Sequence, residues 1–145
     1  MAGAGLGRGR HYTNSLANLE LLSPHMQVNL VGGEYRANRK DFCGYLTEQA
    51  LTGVFFTKSF VGADGCVGGT TFTTTDFETA RMNQIAMRNS DRTIMLVDSS
   101  KFHNASHVSY APADSLHTII TDNGVSQTTL EQLRNTKARL ICTEI

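Results

Sequence analysis

Residues 93–102 read T-I-M-L-V-D-S-S-K-F, Thr93 to Phe102, and the first half of that stretch decides the fold class. Thr93, Ile94, Met95, Leu96 and Val97 form a short β-branched and apolar run with no polar face. Such a run is the pattern of a strand covered on both sides in a parallel sheet. Asp98, Ser99, Ser100 and Lys101 follow at once, where the strand ends. In open α/β sheets the carboxyl ends of strands are where ligands bind. An ordinary strand followed by a polar turn accounts for the same residues, so the neighbouring segments have to decide.

Upstream, Phe55 to Val61 reads as a strand that runs straight into Gly62-Ala63-Asp64-Gly65, again a glycine-flanked carboxylate at a strand's end. Gly68-Gly69 ahead of the threonine-rich segment Thr70 to Thr75 predicts a hairpin with a tight turn. Thr75-x-x-Glu78 has the spacing of a capping box and predicts a helix from about Phe77 to Asn89, with Met82, Ile85, Ala86 and Asn89 on one side. Nearer the start, Thr13-Asn14-Ser15 offers side-chain acceptors to the N–H groups of a short helix with Leu16, Leu19 and Leu22 as its apolar stripe. Met26 to Val31 reads as a strand ended by Gly32-Gly33, which either let a ligand approach or make a plain turn. Glu34 to Asp41, with Arg36, Arg39 and Lys40, reads as a solvated loop, and Gly44 to Ala50 as a helix.

Downstream, Val108 to Tyr110 and Leu116 to Thr121 read as strands, the second ending in Thr121-Asp122. A further capping-box spacing, Thr128-x-x-Glu131, opens a last helix that buries Leu130 and Leu133, and Leu140 to Thr143 is a closing strand. Helices alternating with strands in this order predict an α/β fold with a mainly parallel sheet flanked by helices.

Composition narrows the function. The chain has 145 residues, with 13 basic and 13 acidic side chains. That is one domain's worth of core, and with no net charge or basic run it lacks the electrostatic footprint of a nucleic-acid binder. The apolar runs are too short to span a membrane and the start lacks a signal peptide's apolar core, so a cytoplasmic protein is expected. Cys43, Cys66 and Cys142 are widely spaced, with no C-x-x-C pair, and are expected to be free thiols. The glycine-rich start cannot bury enough surface to offset chain entropy, so residues 1–11 are expected to be a disordered tail.

The nucleotide-binding glycine fingerprints and the G-x-S-x-G elbow are missing, and the five histidines are scattered, which leaves no metal or cofactor expected. What remains is a set of small polar groups at predicted strand ends. The ligand-binding candidates are Thr13, Asn14, Ser15, Gly32, Gly33, Gly62, Ala63, Asp64, Gly65, Asp98 and Lys101, with Thr121-Asp122 ending a further strand. Backbone N–H groups and an ammonium receive phosphate oxygens, and carboxylates accept hydrogen bonds from sugar hydroxyls, so the set suits a phosphorylated, hydroxyl-rich ligand. Helix caps and Asx-turns would use the same residue types, with Lys101 pointing into water.

Several of these segments also carry a family resemblance. They are T-N-S (Thr13 to Ser15), L-V-G-G-E-Y-R (Leu30 to Arg36), F-x-G-x-L-x-E-Q-A-L (Phe42 to Leu51), K-x-F-V-G-A-D-G (Lys58 to Gly65), I-M-L-V-D-S-S-K-F (Ile94 to Phe102) and I-I-T-D-N-G (Ile119 to Gly124). In that order, from about Tyr12 to the C-terminus, the chain resembles the C-terminal sensor domain of DeoR-family transcriptional repressors. The resemblance implies a fold akin to ribose-phosphate isomerases and coenzyme A transferases. It also implies a phosphorylated sugar as effector, relief of repression of a carbohydrate-utilisation operon, and no catalysis.

The chain departs from the family pattern in three places. It has no helix-turn-helix ahead of residue 12, so DNA contact would come only through a domain absent here. It begins after the family's opening strand and D-S-G-T-T-T phosphate loop, making residues 12–145 a partial sensor domain with the first strand and phosphate loop missing. Where the family tends to show E-A-x-V-K-R, Thr79 to Gln84 reads T-A-R-M-N-Q, with Glu78 one place early. A parallel sheet without one strand exposes backbone donors and an apolar helix face, which favours pairing with another chain, so a homo-oligomer is expected. The alternatives are an isomerase of the ribose-phosphate type, with Asp64 or Asp98 as base, and an oligomerisation module without a ligand site.

Overall fold

A computed structural model describes residues 9–144; the sequence expectation for residues 1–8 lies outside the described residues. The chain divides into two compact units, Met1–Val54 and Phe55–Ile145. In the first, β1 (His11–Thr13) leads to α1 (Leu16–Leu22) and returns as β2 (Val28–Leu30), which lies parallel to β1 with His11 opposite Val28. His11 is buried in this strand, inside the boundary expected for the tail. Ser15 caps α1 by accepting the Asn18 N–H at 3.1 Å, and Leu16, Leu19 and Leu22 are half-buried while Leu21 is exposed.

Glu34 to Asp41 is not a solvated loop. It forms a hairpin of β3 (Glu34–Arg36) and β4 (Asp41–Cys43), with Glu34 opposite Cys43. Two things close it: Lys40 takes a left-handed φ of 52° in the turn, and the Arg36 guanidinium donates two 2.8 Å bonds to the Asp41 carboxylate. The basic residues that suggested solvent exposure are partly spent on Asp41. The helix α2 (Tyr45–Thr52) ends the unit.

The second unit holds two sheets. The parallel sheet has the order β11-β10-β8-β5, from β5 (Phe56–Val61), β8 (Ser90–Leu96), β10 (Thr118–Asp122) and β11 (Arg139–Thr143). The antiparallel sheet joins β6 (Gly65–Val67), β7 (Thr71–Thr74) and β9 (Val108–Pro112). Gly68 and Gly69, at φ 61° and 76°, make the expected tight turn between β6 and β7, a conformation that costs a glycine least. Helices α3 (Phe77–Arg88) and α4 (Gln127–Arg134) complete the unit.

Both helices begin differently from the capping-box reading. Asp76, not Thr75, accepts the Thr79 N–H at 2.7 Å, and Ser126, not Thr128, accepts the Thr129 N–H at 3.2 Å. In each case a better-placed oxygen sits three residues before a free N–H, the reach that N-capping needs.

The parallel sheet corrects the expectation drawn from the Thr93–Val97 run. Thr93, Met95 and Val97 are buried, whereas Leu96 is 40% exposed. Val61, Met95, Val97 and Ile119 lie in one core with Phe72, Ala80, Ala111, Leu116 and Leu133. The 93–97 run at the end of β8 therefore alternates, one face in the core and the other not, although that run has no polar face.

Candidate functional site

The parallel order of the second unit brings three strand ends to one end of a sheet. β10 and β5 both pair with β8 in parallel, with Ile120 opposite Leu96 and Val61 opposite Met95. The residues that follow those strands, Gly62 to Gly65, Asp98 to Lys101, and Asp122 to Gly124, emerge side by side. A Cβ built on Gly62 would meet only the Leu96 carbonyl, at 3.7 Å, so its backbone is open to approach. The Gly62 carbonyl accepts the hydroxyl of buried Tyr110, whose pKa burial raises.

Asp98 caps a 3-10 turn, Ser99–His103, by accepting the Ser100 N–H at 2.9 Å and the Ser100 hydroxyl. These bonds, led by the hydroxyl, together with nearby Lys101, hold the Asp98 carboxyl below its ordinary pKa. The Lys101 ammonium lies 3.9 Å from Asp98 Oδ2, with both side chains well exposed. A pair of that kind is worth little to stability and stays available to a ligand.

Asp122, at the end of β10, is buried. It accepts the Ser99 N–H at 2.8 Å on one oxygen and the Gly124 N–H at 2.7 Å on the other, and the Ser99 contact foremost lowers its pKa. Asp64 is half-buried and tied into the antiparallel sheet: its Oδ2 accepts the Thr74 hydroxyl at 2.9 Å and the Thr75 N–H at 3.1 Å. Ala63 packs against the core. Gly65 is a packing glycine, since a Cβ there would strike the Asn104 carbonyl and come within 2.7 Å of the Ser106 nitrogen.

The other candidates fall in the first unit, and the structure describes them by their local bonds. Thr13 Oγ1 accepts the Ser15 N–H at 3.1 Å, and the Asn14 side-chain amide donates to the Phe42 carbonyl at 2.9 Å. Ser15 is the α1 cap. Gly32 has no atom within 4 Å of a built Cβ, and its carbonyl accepts the Thr47 hydroxyl at 2.8 Å. Gly33 is required by packing, because a Cβ there would run into Thr47 Oγ1 and the Cys43 carbonyl.

Two contacts of the cluster have no signal in the sequence. Asp122 was visible as a strand-end carboxylate, yet its partner Ser99 lies 23 residues away in the chain. Tyr110 reaches Gly62 across 48 residues, with no local signal at all. Among the described residues no group of three His, Cys, Asp or Glu side chains could hold a metal ion, and no helix is long and apolar enough to cross a membrane.

A family model of the DeoR C terminal sensor domain matches residues 10–123. Relatives named lactose phosphotransferase system repressor are similar to the chain. That of Lactococcus lactis subsp. lactis is 34% identical over 125 residues, covering 85% of this chain and 49% of the relative. That of Staphylococcus epidermidis is 34% identical over 99 residues, 68% of this chain and 39% of the relative. That of Streptococcus mutans is 31% identical over 114 residues, 76% and 45%. The chain thus spans half or less of the length of these relatives.

Proposed function

Since the chain belongs to the family of DeoR C-terminal sensor domains, we propose that it senses a phosphorylated sugar as the effector of a repressor of carbohydrate utilisation. The observation that carries this reading is the convergence of Gly62, Asp98 and Lys101 at the carboxyl end of one parallel sheet. Ligands of open α/β sheets bind at that end. Lys101 supplies a charge for phosphate oxygens, Asp98 accepts from sugar hydroxyls, and the bare backbone at Gly62 allows close approach. The chain is read as a binding domain without turnover: of the two carboxylates an isomerase would draw on, Asp64 accepts the Thr74 hydroxyl and the Thr75 N–H, and Asp98 accepts the Ser100 N–H and hydroxyl. Thr13, Asn14, Ser15, Gly32 and Gly33 form a second candidate set, to be tested by itself. DNA would be bound through another part of the repressor, and self-association is part of the proposal.

A thermal-shift panel of hexose and pentose phosphates, with the matching free sugars and inorganic phosphate, tests the reading. At least one sugar phosphate should raise the melting temperature, by an amount equivalent to about 2.7 kcal/mol at 100 times its dissociation constant. Lys101→Ala should reduce that shift more than the matching free sugar's. No response to any phosphorylated sugar would overturn the proposal, and turnover of one would replace it with the isomerase.

A further inference from the structure

We propose that Asp122 is the positioning residue of this cluster: it holds the turn that carries Lys101 without itself touching the effector. The inference rests on the sensor reading for what Lys101 does, but its geometry stands apart from it. The Ser99–His103 turn buries none of its five residues fully, and of them Phe102 alone packs against the core. Its far end is pinned by Phe102, whose ring meets the Phe72 ring edge-on at 5.8 Å between centroids. Its near end is pinned by Asp122, through the 2.8 Å bond from the Ser99 N–H. Lys101 sits between those two anchors. The Asp98 bonds to Ser100 run within the turn and would travel with it, whereas the Asp122 bond ties the turn to the neighbouring strand.

Gly124 completes the latch. A Cβ at this position would come within 2.6 Å of Ser99 Oγ and 3.0 Å of Asp122 Oδ1, although the backbone there is not left-handed. The D-N-G of residues 122–124 and the D-S-S-K of residues 98–101 are thus the two halves of one contact. Asp122→Asn removes the charge and turns an N–H group toward one of two N–H donors. Gly124→Ala pushes on Ser99 from the same side by sterics alone.

The test uses both variants, alone and with Lys101→Ala. Without ligand, amide NMR signals of residues 98–103 should move in both single variants, while signals of β5 and α3 hold still. With whichever sugar phosphate of the panel binds the wild type, each variant should weaken binding about tenfold, Asp122→Asn through a lost hydrogen bond to a charged group and Gly124→Ala through displacement of Ser99. Adding Lys101→Ala to either variant should cost less than Lys101→Ala costs in the wild type, because the ammonium is already displaced. A purely structural Asp122 would give additive losses, and that result overturns the proposal, as do unmoved signals for residues 98–103. If no panel member binds the wild type, the sensor reading fails, and the NMR comparison alone decides whether Asp122 sets the turn.

Discussion

At the scale of single residues, the strand-end carboxylates differ in use although the sequence presents them alike. Asp64 and Asp122 are committed to backbone and hydroxyl donors, and only Asp98 combines a cap with an exposed face. Asp98 and Asp122 both have lowered pKa values, so their ionised forms are favoured by folding. A depressed folded pKa contributes stability that is complete above the unfolded value of about 3.9 and is lost as pH falls through the folded value. Melting temperature should therefore hold steady down to about pH 4 and drop below it, with a smaller drop in Asp122→Asn. An acid limb of equal depth in wild type and variant would contradict this. The glycines sort in the same way: Gly33 and Gly65 are demanded by packing, whereas Gly32 and Gly62 leave open space. No sequence pattern separates those pairs, because what fills the space comes from distant residues. Burial also pushes the Cys66 thiol up to about 11, which keeps it protonated and unreactive near neutral pH.

At the scale of elements, most helices and strands were legible to within a few residues, and the errors lie in caps, in the short strand β1 at the expected tail boundary, and in the Glu34–Asp41 segment. Hydrophobic periodicity is local and survives folding, but a cap is chosen by which oxygen reaches a free N–H. Ser126 wins over Thr128 for α4, and Thr128 stands exposed inside the helix. Ser126→Ala should therefore destabilise the protein by about 1 kcal/mol, while Thr128→Ala should be neutral or slightly stabilising. Urea denaturation of the two variants checks the assignment, and the reverse order would restore the capping-box reading. The hairpin β3–β4 was hidden for a similar reason. Its charges suggested solvent, and only the pairing of Arg36 with Asp41 shows them closing a turn.

At the scale of the molecule, the parallel sheet shows how an apolar run within a strand can still have unequal faces. Met95 is fully buried and Leu96, its neighbour in sequence, is 40% exposed. Met95→Ala should cost about 2–5 kcal/mol, the range for emptying a packed core position. Leu96→Thr should stay within about 0.5 kcal/mol, as at a surface position. Comparable losses in equilibrium unfolding would mean that both faces are packed after all.

The sequence by itself determined the kind and order of most of the elements, the carboxylates and glycines at strand ends, and the family, because periodicity, turn chemistry and motif spacing are properties of neighbouring residues; the short strands β1, β3 and β4 it did not. Only the tertiary structure decided the division into two units, which face of β8 is buried, and which polar residues are spent on the fold. It placed Asp122 against Ser99 and Tyr110 against Gly62, since a hydrogen bond across 23 or 48 residues exists only once the strands have chosen their neighbours.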